Sequence, residues 1–476
     1  MKHNKNVYLI TLGCPKNEYD SDCISYILEE NGFFITKNVR EADIVIINTC
    51  CFIDPAKEES IEAILEMTQL KEKMNFILIV FGCMSQRYYM ELSKEIPEVD
   101  GWVGLSNMSS LPKVIYEIFD NKQLLIKGSN EFRKGLLKKR ISKKYISRFK
   151  PICLVENING WVKRQPERGF FGELPYAYLK IADGCDHSCT FCDIPNIKGK
   201  HESRLPEKII DEAKELVDNN VKEIILISQD ITQYGKDLEE RFDLIRLLND
   251  LIEIDNLSRI RLMYLNPGGI NDDLISLISQ SGKICKYLDI PIQHVSTKIL
   301  RKMGRGGSYN EFLELFLKIR EKISDIVFRS SIVIGFPSET ESDYDLICKF
   351  LKEAKLDWVG FFKFSPQKGT KAYYYKNRIN KKTVDRRYND IVLLQNEISM
   401  ELREELAGKT LDVLIEQTSI EIEDFWEGRS YREAPEIDGL IFVEKDNIAK
   451  GDLIPIKITH SQFFDLYGRV IVNEKL

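Results

Sequence analysis

Strand-like and helix-like hydrophobic patterns alternate along the first 120 residues. Three short apolar runs are each followed by a helix-like stretch, which is typical of an open parallel sheet. The runs are Val7–Leu12, Ile44–Ile47 and Phe76–Phe81. A cysteine closely follows each run: Cys14, Cys50 and Cys83. Because loops after parallel strands gather at one edge of a sheet, the pattern places these three cysteines at the same edge.

The alternation resumes between residues 176 and 365, where six apolar runs are separated by helical stretches such as Pro206–Asn219. The predicted strands are Tyr176–Ala182, Glu223–Ser228, Arg259–Leu265, Lys286–Ile290, Val327–Ile334 and Trp358–Phe364. Six β/α units are consistent with an incomplete (β/α)6 barrel. Sites in such barrels lie on the loops that follow the strands.

The C-terminal part changes pattern again. Apolar residues recur at helical spacing over 384–406 and predict one long helix that closes the barrel. Short strand-like runs separated by glycines follow from residue 408: Leu411–Ile415, Gly439–Phe442 and Leu453–Ile458. They predict a small β-barrel of OB-like size.

The chain is therefore predicted to be an α/β protein with four segments. These are an N-terminal open parallel α/β domain (1–120), a linker (121–172), the incomplete barrel (173–407) and the small β-barrel (408–476). Residues 121–150 carry eleven Lys or Arg and one acid. Such a basic linker is either a solvated spacer or a segment that contacts RNA or another acidic surface, and the sequence leaves both open.

Overall charge and hydropathy exclude several classes of protein. The 476 residues have a net charge of −6, which gives no global attraction to nucleic acid or an anionic membrane. The longest membrane-segment candidate, Phe76–Met84, is far shorter than the roughly 20 residues of a spanning helix. We expect no membrane association and a cytoplasmic location. In a reducing compartment, the eleven cysteines are core residues, metal ligands or catalysts.

One cysteine cluster carries specific chemistry. Cys185, Cys189 and Cys192 form a Cys-x3-Cys-x2-Cys pattern directly after the first predicted barrel strand. Three thiolates can hold three irons of a four-iron cube. The fourth iron then stays open to chelate the amino and carboxyl groups of S-adenosylmethionine. The alternative is a structural zinc site completed by His187, which so tight a loop disfavours.

The triad and the barrel resemble the radical S-adenosylmethionine (SAM) superfamily. Several flanking segments resemble its methylthiotransferases: Thr11-Leu-Gly-Cys14-Pro-Lys-Asn17, Asn48-Thr-Cys50, Gly82-Cys83 and Tyr178-Leu-Lys-Ile-Ala-Asp-Gly184. Gly428-Arg-Ser430 and Ala434-Pro-Glu-Ile-Asp-Gly439 resemble the TRAM domain of that family. The resemblance implies that Cys185, Cys189 and Cys192 bind a [4Fe-4S] cluster that cleaves SAM to a 5′-deoxyadenosyl radical.

The same resemblance implies a second, auxiliary [4Fe-4S] cluster for sulfur delivery, held by Cys14, Cys50 and Cys83. Taken singly, each of these cysteines could equally be a small buried apolar residue. Cys51 departs from the family, which usually has a small non-ligating residue at that position. We take Cys50 as the ligand because it completes the Asn-Thr-Cys motif, and the role of Cys51 stays open.

Polar residues after other barrel strands are candidates for binding SAM. They are Ser228, Gln229 and Asp230 after the second strand, Gln293 after the fourth, and Gly335 and Glu339 after the fifth. His294 is expected to face the barrel mouth beside Gln293. Any strand-to-loop junction is rich in such residues for turn reasons, so each position has a structural alternative. Ser338 stands where the family commonly has glycine.

The family has two main substrate groups. Cys14-Pro-Lys-Asn17, Gln229-Asp230 and Tyr264-Leu-Asn-Pro267 resemble the RimO type, which methylthiolates the β-carbon of an aspartate in ribosomal protein uS12. The alternative is a methylthiotransferase for i6A or t6A adenosines of transfer RNA. An electron donor such as flavodoxin is an expected partner in either case.

The charge of the last segment favours a basic protein substrate. Residues 410–476 hold fourteen acids and seven Lys or Arg, whereas an RNA-binding module should carry a basic face. An acidic module is complementary to a basic ribosomal protein. The candidate contacts are the acids that flank its turns: Glu423, Asp424, Glu427 and Glu436.

Overall fold

The structure is a computed structural model that describes residues 5–121, 150–169, 172–239 and 242–471. It divides into two compact units. The first unit comprises Met1–Phe171, Asp183–Asp186 and Asp193–Glu202, and the second comprises Gly172–Ala182, His187–Cys192 and Ser203–Leu476. Most of the predicted basic linker, residues 122–149, lies outside the described residues. This division into two compact units does not test the four predicted domain ranges, which stay predictions.

The first unit is built on a six-stranded parallel sheet in the order β2-β1-β3-β4-β5-β6. The strands are β1 (Lys5–Thr11), β2 (Phe33–Ile35), β3 (Ile44–Thr49), β4 (Ile77–Gly82), β5 (Gly101–Val103) and β6 (Ile152–Leu154). The helices are α1 (Pro15–Glu30), α2 (Asp54–Met74), α3 (Cys83–Glu95) and α4 (111–121). β3 and β4 are buried along their whole length, as expected for central strands of a parallel sheet.

The pairing of β1, β3 and β4 aligns their carboxyl ends. Thr11 of β1 pairs with Asn48 of β3, and Thr49 of β3 pairs with Gly82 of β4. The three predicted strands of this region are therefore adjacent and parallel. The prediction missed β2, β5 and β6, each of which has only three residues.

Two short strands and a short helix lie around the Cys-x3-Cys-x2-Cys loop. They are β8 (Ala182–Asp183), α5 (Ile194–Lys198) and β9 (Glu202–Ser203). α5 packs against α3 within the first unit. The segments that flank the cysteine loop thus contribute to the unit that contains the N-terminal sheet.

The second unit contains a parallel sheet in the order β14-β13-β12-β11-β10-β7. Its strands are β7 (Tyr176–Lys180), β10 (Glu223–Ile227), β11 (Arg259–Leu262), β12 (Ile284–Asp289), β13 (Val327–Ile334) and β14 (Trp358–Lys363). All six predicted strands are present, and their order along the sheet follows the chain, as in an incomplete (β/α)6 barrel.

Helices separate these strands and one long helix follows them. They are α6 (Pro206–Asp218), α7 (Leu244–Ile252), α8 (Asp272–Gln280), α9 (Thr297–Met303), α10 (Tyr309–Lys322), α11 (Glu341–Ala354) and α12 (Lys381–Glu404). α12 packs against β14, at the edge of the sheet where a closing helix was predicted. Among the described residues, no helix is both long and apolar enough to cross a lipid bilayer.

The C-terminal residues form a closed barrel in the order β15-β16-β17-β19-β18. Its strands are β15 (Thr410–Thr418), β16 (Phe425–Arg429), β17 (Ile441–Glu444), β18 (Leu453–Gln462) and β19 (Asp465–Val470). The predicted small barrel is confirmed, although β16 and β19 were not foreseen. Val413, Ile441 and Ile456 are among the fully buried residues of its core.

Buried ion pairs join this barrel to the parallel sheet inside the second unit. Arg261 Nε donates to Glu223 Oε1 at 2.6 Å, and Arg429 Nη1 donates to the same oxygen at 3.3 Å. All three side chains are fully enclosed. Glu223 opens β10 whereas Arg429 ends β16, so one carboxylate links the two sheets.

Candidate functional site

The three N-terminal cysteines follow the aligned strands β1, β3 and β4. Cys14 caps α1, Cys50 lies between β3 and α2, and Cys83 is the first residue of α3. Gly13 has a φ of +103°, and a Cβ there would lie 2.5 Å from Cys50 Cβ. Glycine thus lets the Cys14 loop approach Cys50 closely. The structure therefore brings these cysteine loops to one edge of the sheet.

Asn17 fastens two of the cysteine loops together. Its Nδ2 donates to the carbonyl oxygens of Leu12 and Thr49, at 2.7 and 3.2 Å. Asn48 Nδ2 returns a hydrogen bond to the carbonyl oxygen of Asn17 at 2.8 Å. The Asn17 side chain is buried, so these bonds are shielded from water. Asn17 belongs to the Cys14-Pro-Lys-Asn17 motif, but nothing in the sequence indicated this bridging role.

Burial and repulsion from neighbouring thiols resist ionisation of Cys50 and Cys83. Burial raises the pKa of Cys50 to about 11, with a further increase from Cys14. Burial also raises the pKa of Cys83, which the neighbouring Cys51, Cys50 and Cys14 push further up. Thiolates so close together are stable only beside positive charge, and iron ions supply it. Three thiols on three adjacent loops are the type of donor that binds iron–sulfur clusters.

A buried lysine lies near this cysteine group. Lys198 Nζ is 3.0 Å from Asp183 Oδ2 and 3.9 Å from Asp20 Oδ2. Burial alone would lower the pKa of Lys198, but attraction from Asp183, Asp20, Cys83 and Cys14 outweighs it and raises the pKa. No local pattern indicated a role for Lys198, because Asp183 and Asp20 are distant from it in the chain.

Cys51 is also buried in this region. Burial raises its pKa, and Cys50 adds to the increase. A Cβ on Gly13 would meet Cys50, whereas Cys51 raises the pKa of Cys83 more than Cys50 does. Both cysteines therefore lie close to other members of the group, and the role of Cys51 stays open.

The second cysteine group occupies one loop between β8 and α5. In the first unit, Cys185 N donates to the Gly199 carbonyl at 3.1 Å. The preceding Gly184 has a φ of +77°, and any Cβ there would overlap the Lys200 carbonyl. In the second unit, Cys192 N donates to the Cys189 carbonyl at 3.2 Å. Local backbone bonds thus shape the loop that carries the three thiols.

His187 is engaged by polar groups of the second unit. Its Nε2 lies 2.6 Å from Asp230 Oδ2 and 3.2 Å from Asn266 Nδ2. In the part of the chain that the structure describes, no group of three His, Cys, Asp or Glu side chains is arranged to hold a single metal ion. A four-iron cube does not require its thiolates to converge on one ion, because each binds a different iron.

Two of the residues predicted after β10 are bound to protein groups. Ser228 Oγ accepts a hydrogen bond from Asp230 N at 3.1 Å, and Ser228 is fully buried. Asp230 also accepts from Thr232 N at 2.9 Å. Burial alone would raise the pKa of Asp230, but hydrogen bonds from His187 and Thr232 outweigh it and lower the pKa. Gln229 is partly exposed between them.

The predicted residues after β13 form a buried arrangement around a glycine turn. Gly335 has a φ of +80°, and its N–H donates to Glu339 Oε2 at 2.9 Å. Arg387 Nη1 donates to Glu339 Oε1 at 2.6 Å. Glu339 is thus held by Gly335 and Arg387. Ser338 has a φ of +73°, a left-handed conformation that explains why glycine is common there.

Gln293 and His294 differ in exposure. Gln293 pairs with β13, since its N–H donates to the Ser331 carbonyl at 2.8 Å, and its side chain is partly exposed. His294 is fully buried, and its Nδ1 accepts hydrogen bonds from the N–H groups of Val295 and Ser296. That His294 faces the barrel mouth stays a prediction. Its ring closes a tight turn, a role that sequence position alone does not distinguish.

Family models match three parts of the chain. Residues 6–104 match the Uncharacterized protein family UPF0004, residues 179–351 match the Radical SAM superfamily, and residues 407–471 match the TRAM domain.

Curated relatives match almost the entire length. The chain is 40% identical over 470 residues to the ribosomal protein uS12 methylthiotransferase RimO of Acetivibrio thermocellus, covering 98% of both chains. It is 41% identical to the protein of the same name from Sulfurihydrogenibium sp., covering 96% of each.

A solved structure shares the fold. The radical S-adenosylmethionine methyltransferase TsrM from Kitasatospora setae, with cobalamin and a [4Fe-4S] cluster bound, aligns with a TM-score of 0.51 and 14% identity. The alignment covers 89% of this chain and 81% of that one.

Proposed function

The chain belongs to the family of ribosomal protein uS12 methylthiotransferases of the RimO type within the radical SAM superfamily, and we propose that it adds a methylthio group to the β-carbon of an aspartate in uS12. It is an enzyme that modifies a ribosomal protein. SAM and [4Fe-4S] clusters are the cofactors of this family. The position of the modified carbon and the assignment of the cluster ligands are the proposed parts.

One cluster is assigned to Cys185, Cys189 and Cys192. These three cysteines would hold the cluster, which after one-electron reduction would supply, with SAM, a 5′-deoxyadenosyl radical for removal of a hydrogen atom from the substrate carbon. The chain shapes this site by hydrogen bonds that hold the loop and by the turn at Gly335, whose φ of +80° allows close backbone approach to a ligand. Gln229 and Gln293 are partly exposed and are the polar side chains assigned to orient the methionine part of SAM.

The auxiliary cluster is assigned to Cys14, Cys50 and Cys83. The observation that carries this proposal is that the three cysteines follow three adjacent, aligned parallel strands, with Gly13 packed against Cys50. In the proposed reaction one electron from the reductant would cleave one SAM to methionine and a 5′-deoxyadenosyl radical, and a carbon–hydrogen bond of the substrate would be broken. A carbon–sulfur bond would form as the methylthio group leaves the auxiliary cluster, which would take the electron back. A second SAM would supply the methyl group. The hydrogen atom leaves with 5′-deoxyadenosine, and the cysteines of the first unit hold the sulfur-delivery site.

The acidic C-terminal barrel is proposed to bind the basic substrate protein. Glu421, Glu423 and Asp424 are exposed on the turn that connects β15 and β16. Glu427 is not available, because it is buried and accepts a hydrogen bond from Gln417 at 2.8 Å. Its inclusion among the predicted contacts was wrong, since β16 turns this acid inward. A reductant such as flavodoxin and an RNA contact through residues 121–150 remain part of the proposal.

Mass spectrometry tests the substrate. The full-length chain is expressed in a bacterial strain that lacks its own uS12 methylthiotransferase, beside a Cys189→Ala variant as control. We expect a methylthio group on one aspartate of uS12 with the intact chain and none with the variant. Nucleosides of transfer RNA from the same cells are analysed in parallel. Methylthiolated adenosine in transfer RNA with unmodified uS12 would establish the alternative function and refute the proposed one.

A further inference from the structure

An arginine distant in sequence contacts one of the triad cysteines within the second unit. Arg305 Nη1 lies 3.7 Å from Cys189 Sγ, a hydrogen-bonding distance for sulfur. Arg305 Nη2 donates to the Pro291 carbonyl at 2.9 Å. The guanidinium group therefore spans from the cysteine loop to the segment that follows β12. Its side chain is only partly exposed, so the contact is partly shielded from solvent.

The backbone around Arg305 is fixed against the cysteine loop. Arg305 N donates to the Leu300 carbonyl at 2.9 Å, which closes the end of α9. Gly304 has a φ of +72°, and a Cβ there would lie 2.7 Å from the Ser188 carbonyl oxygen. Thr190 N donates to the Met303 carbonyl at 2.8 Å. These contacts hold the base of the arginine beside the loop that carries Cys189.

We infer that Arg305 is a positioning residue that donates a hydrogen bond to the Cys189 sulfur and thereby raises the reduction potential of the cluster assigned to the triad. The inference rests on the proposed function. Hydrogen bonds to the sulfur ligands are among the factors that set the potential of an iron–sulfur cluster. Reduction adds a negative charge, so a donor that carries positive charge stabilises the reduced form more than the oxidised form.

The geometry explains why arginine is suited to this position. The guanidinium group is planar and presents several N–H donors in a fixed arrangement, so one side chain can bind a sulfur atom and a carbonyl together. Lysine would keep the charge but offers a single flexible donor group. If Arg305 only stabilised the end of α9, replacing it would not change the reduction potential of the cluster. Arg301, in the last turn of the same helix, is exposed and serves as a matched control for loss of charge.

A redox titration distinguishes these roles. The full-length chain and its Arg305→Met, Arg305→Lys and Arg301→Met variants are reconstituted with iron and sulfide without oxygen. Iron content is measured, and the reduced cluster is followed by electron paramagnetic resonance. The triad cluster is identified by the signal that changes when SAM is added.

We expect Arg305→Met to lower the ratio of reduced to oxidised cluster about tenfold at a fixed potential, equivalent to about 59 mV for one electron. Arg305→Lys should give a smaller decrease, and Arg301→Met should match the unmodified chain. Equal potentials for Arg305→Met and Arg301→Met would overturn the inference while leaving the proposed function intact. If Arg305→Met does not retain its iron, the potentials of Arg305→Lys and Arg301→Met are compared instead. Equal potentials for these two variants would overturn the inference. If the unmodified chain gives no SAM-sensitive signal, the proposed function fails as well.

Discussion

Lys198 Nζ lies 3.0 Å from Asp183 Oδ2, and both side chains are enclosed in the first unit. A second carboxylate, Asp20, is 3.9 Å from the same ammonium group. Lys198 is the last residue of α5, whereas Asp20 is in α1. The pair therefore connects the segment after the triad loop to the N-terminal sheet region. Removing one partner of a buried ion pair leaves an uncompensated charge, which is costly.

We predict that Lys198→Met lowers the free energy of unfolding by about 3 kcal/mol. Methionine retains most of the length and apolar character of lysine, so the loss should come from the missing charge. Unfolding by urea checks this, with Lys200→Met as control, because Lys200 is exposed and close in sequence. The control should stay within about 0.5 kcal/mol of the unmodified chain. Equal stabilities for the two variants would contradict the prediction.

Replacing each set of three cysteines separately should show which cluster each set binds and which step of the reaction that cluster supports. We predict about eight irons for the unmodified chain reconstituted without oxygen, and about four after either set of three cysteines is changed to alanine. Changing Cys185, Cys189 and Cys192 should abolish cleavage of SAM. Changing Cys14, Cys50 and Cys83 should retain formation of 5′-deoxyadenosine but stop methylthio transfer.

Iron analysis and product chromatography measure both effects, and Cys51→Ala is the matched control. It should retain about eight irons, because Cys50 packs against the Cys14 loop. A loss of four irons in Cys51→Ala would instead identify Cys51 as the ligand. Continued methylthio transfer without Cys14, Cys50 and Cys83 would exclude the auxiliary role of that set.

The hydrophobic pattern predicted a strand correctly where the strand is buried through its own apolar residues. Val327–Ile334 was predicted with the bounds observed for β13, because its apolar residues mark a strand that is largely buried. β16 was missed because Phe425–Arg429 contains a glycine and two charged residues. Those charges are buried through partners elsewhere in the chain, such as Glu223 for Arg429. No local pattern reports such a partner.

In the candidate site too, some residues could be identified from the sequence and others only from their contacts. The cysteines could be identified because their spacing and their position after strands are visible in the sequence. Arg305 and Lys198 could not, because their roles depend on contacts across 116 and 15 residues of chain with Cys189 and Asp183. His294 closes a tight turn through its Nδ1, a role that its position after a strand does not indicate.

Glu223 should make stability depend on pH in the acid range. Burial alone would raise its pKa, but attraction from Arg261, Arg429 and Arg259 outweighs it and lowers the pKa to about 2. A carboxyl group whose pKa is lower in the folded state stabilises the fold above its ordinary pKa of 4.5. This contribution is lost as the pH falls from 4.5 towards 2, and it amounts to about 3 kcal/mol.

Glu223→Gln removes this titration while keeping the side-chain shape. We expect the variant to be about 3 kcal/mol less stable than the unmodified chain at pH 7, with the difference shrinking as the pH falls from 4.5 to 2. Urea unfolding at several pH values measures the difference. Glu314→Gln, at an exposed position on α10, should follow the unmodified chain throughout. A stability difference for Glu223→Gln that does not change with pH would refute the assignment.

The acidic surface of the C-terminal barrel should govern capture of uS12. Glu421, Glu423 and Glu444 are exposed acids of this barrel. Reversing all three to lysine should weaken binding of uS12 roughly tenfold at low salt, if each charge contributes about 0.5 kcal/mol. The salt dependence of binding should also flatten, because exposed charges act mainly through long-range attraction that salt screens. Titration calorimetry at two salt concentrations measures both effects.

The control moves the same charge to another surface. Asp211, Glu215 and Asp218 are exposed acids on α6, and reversing them changes the net charge by an equal amount. If net charge alone attracts the basic protein, the two variants will weaken binding equally, and the barrel has no special role. If the barrel is the docking surface, only the first variant will bind weakly. Cleavage of SAM without substrate should be unchanged in both, since neither set includes a residue assigned to a cluster or to SAM. Binding of transfer RNA is measured at the same salt concentrations. An acidic docking surface should repel transfer RNA, so the affinity of the chain for transfer RNA should rise when the barrel acids are changed to lysine.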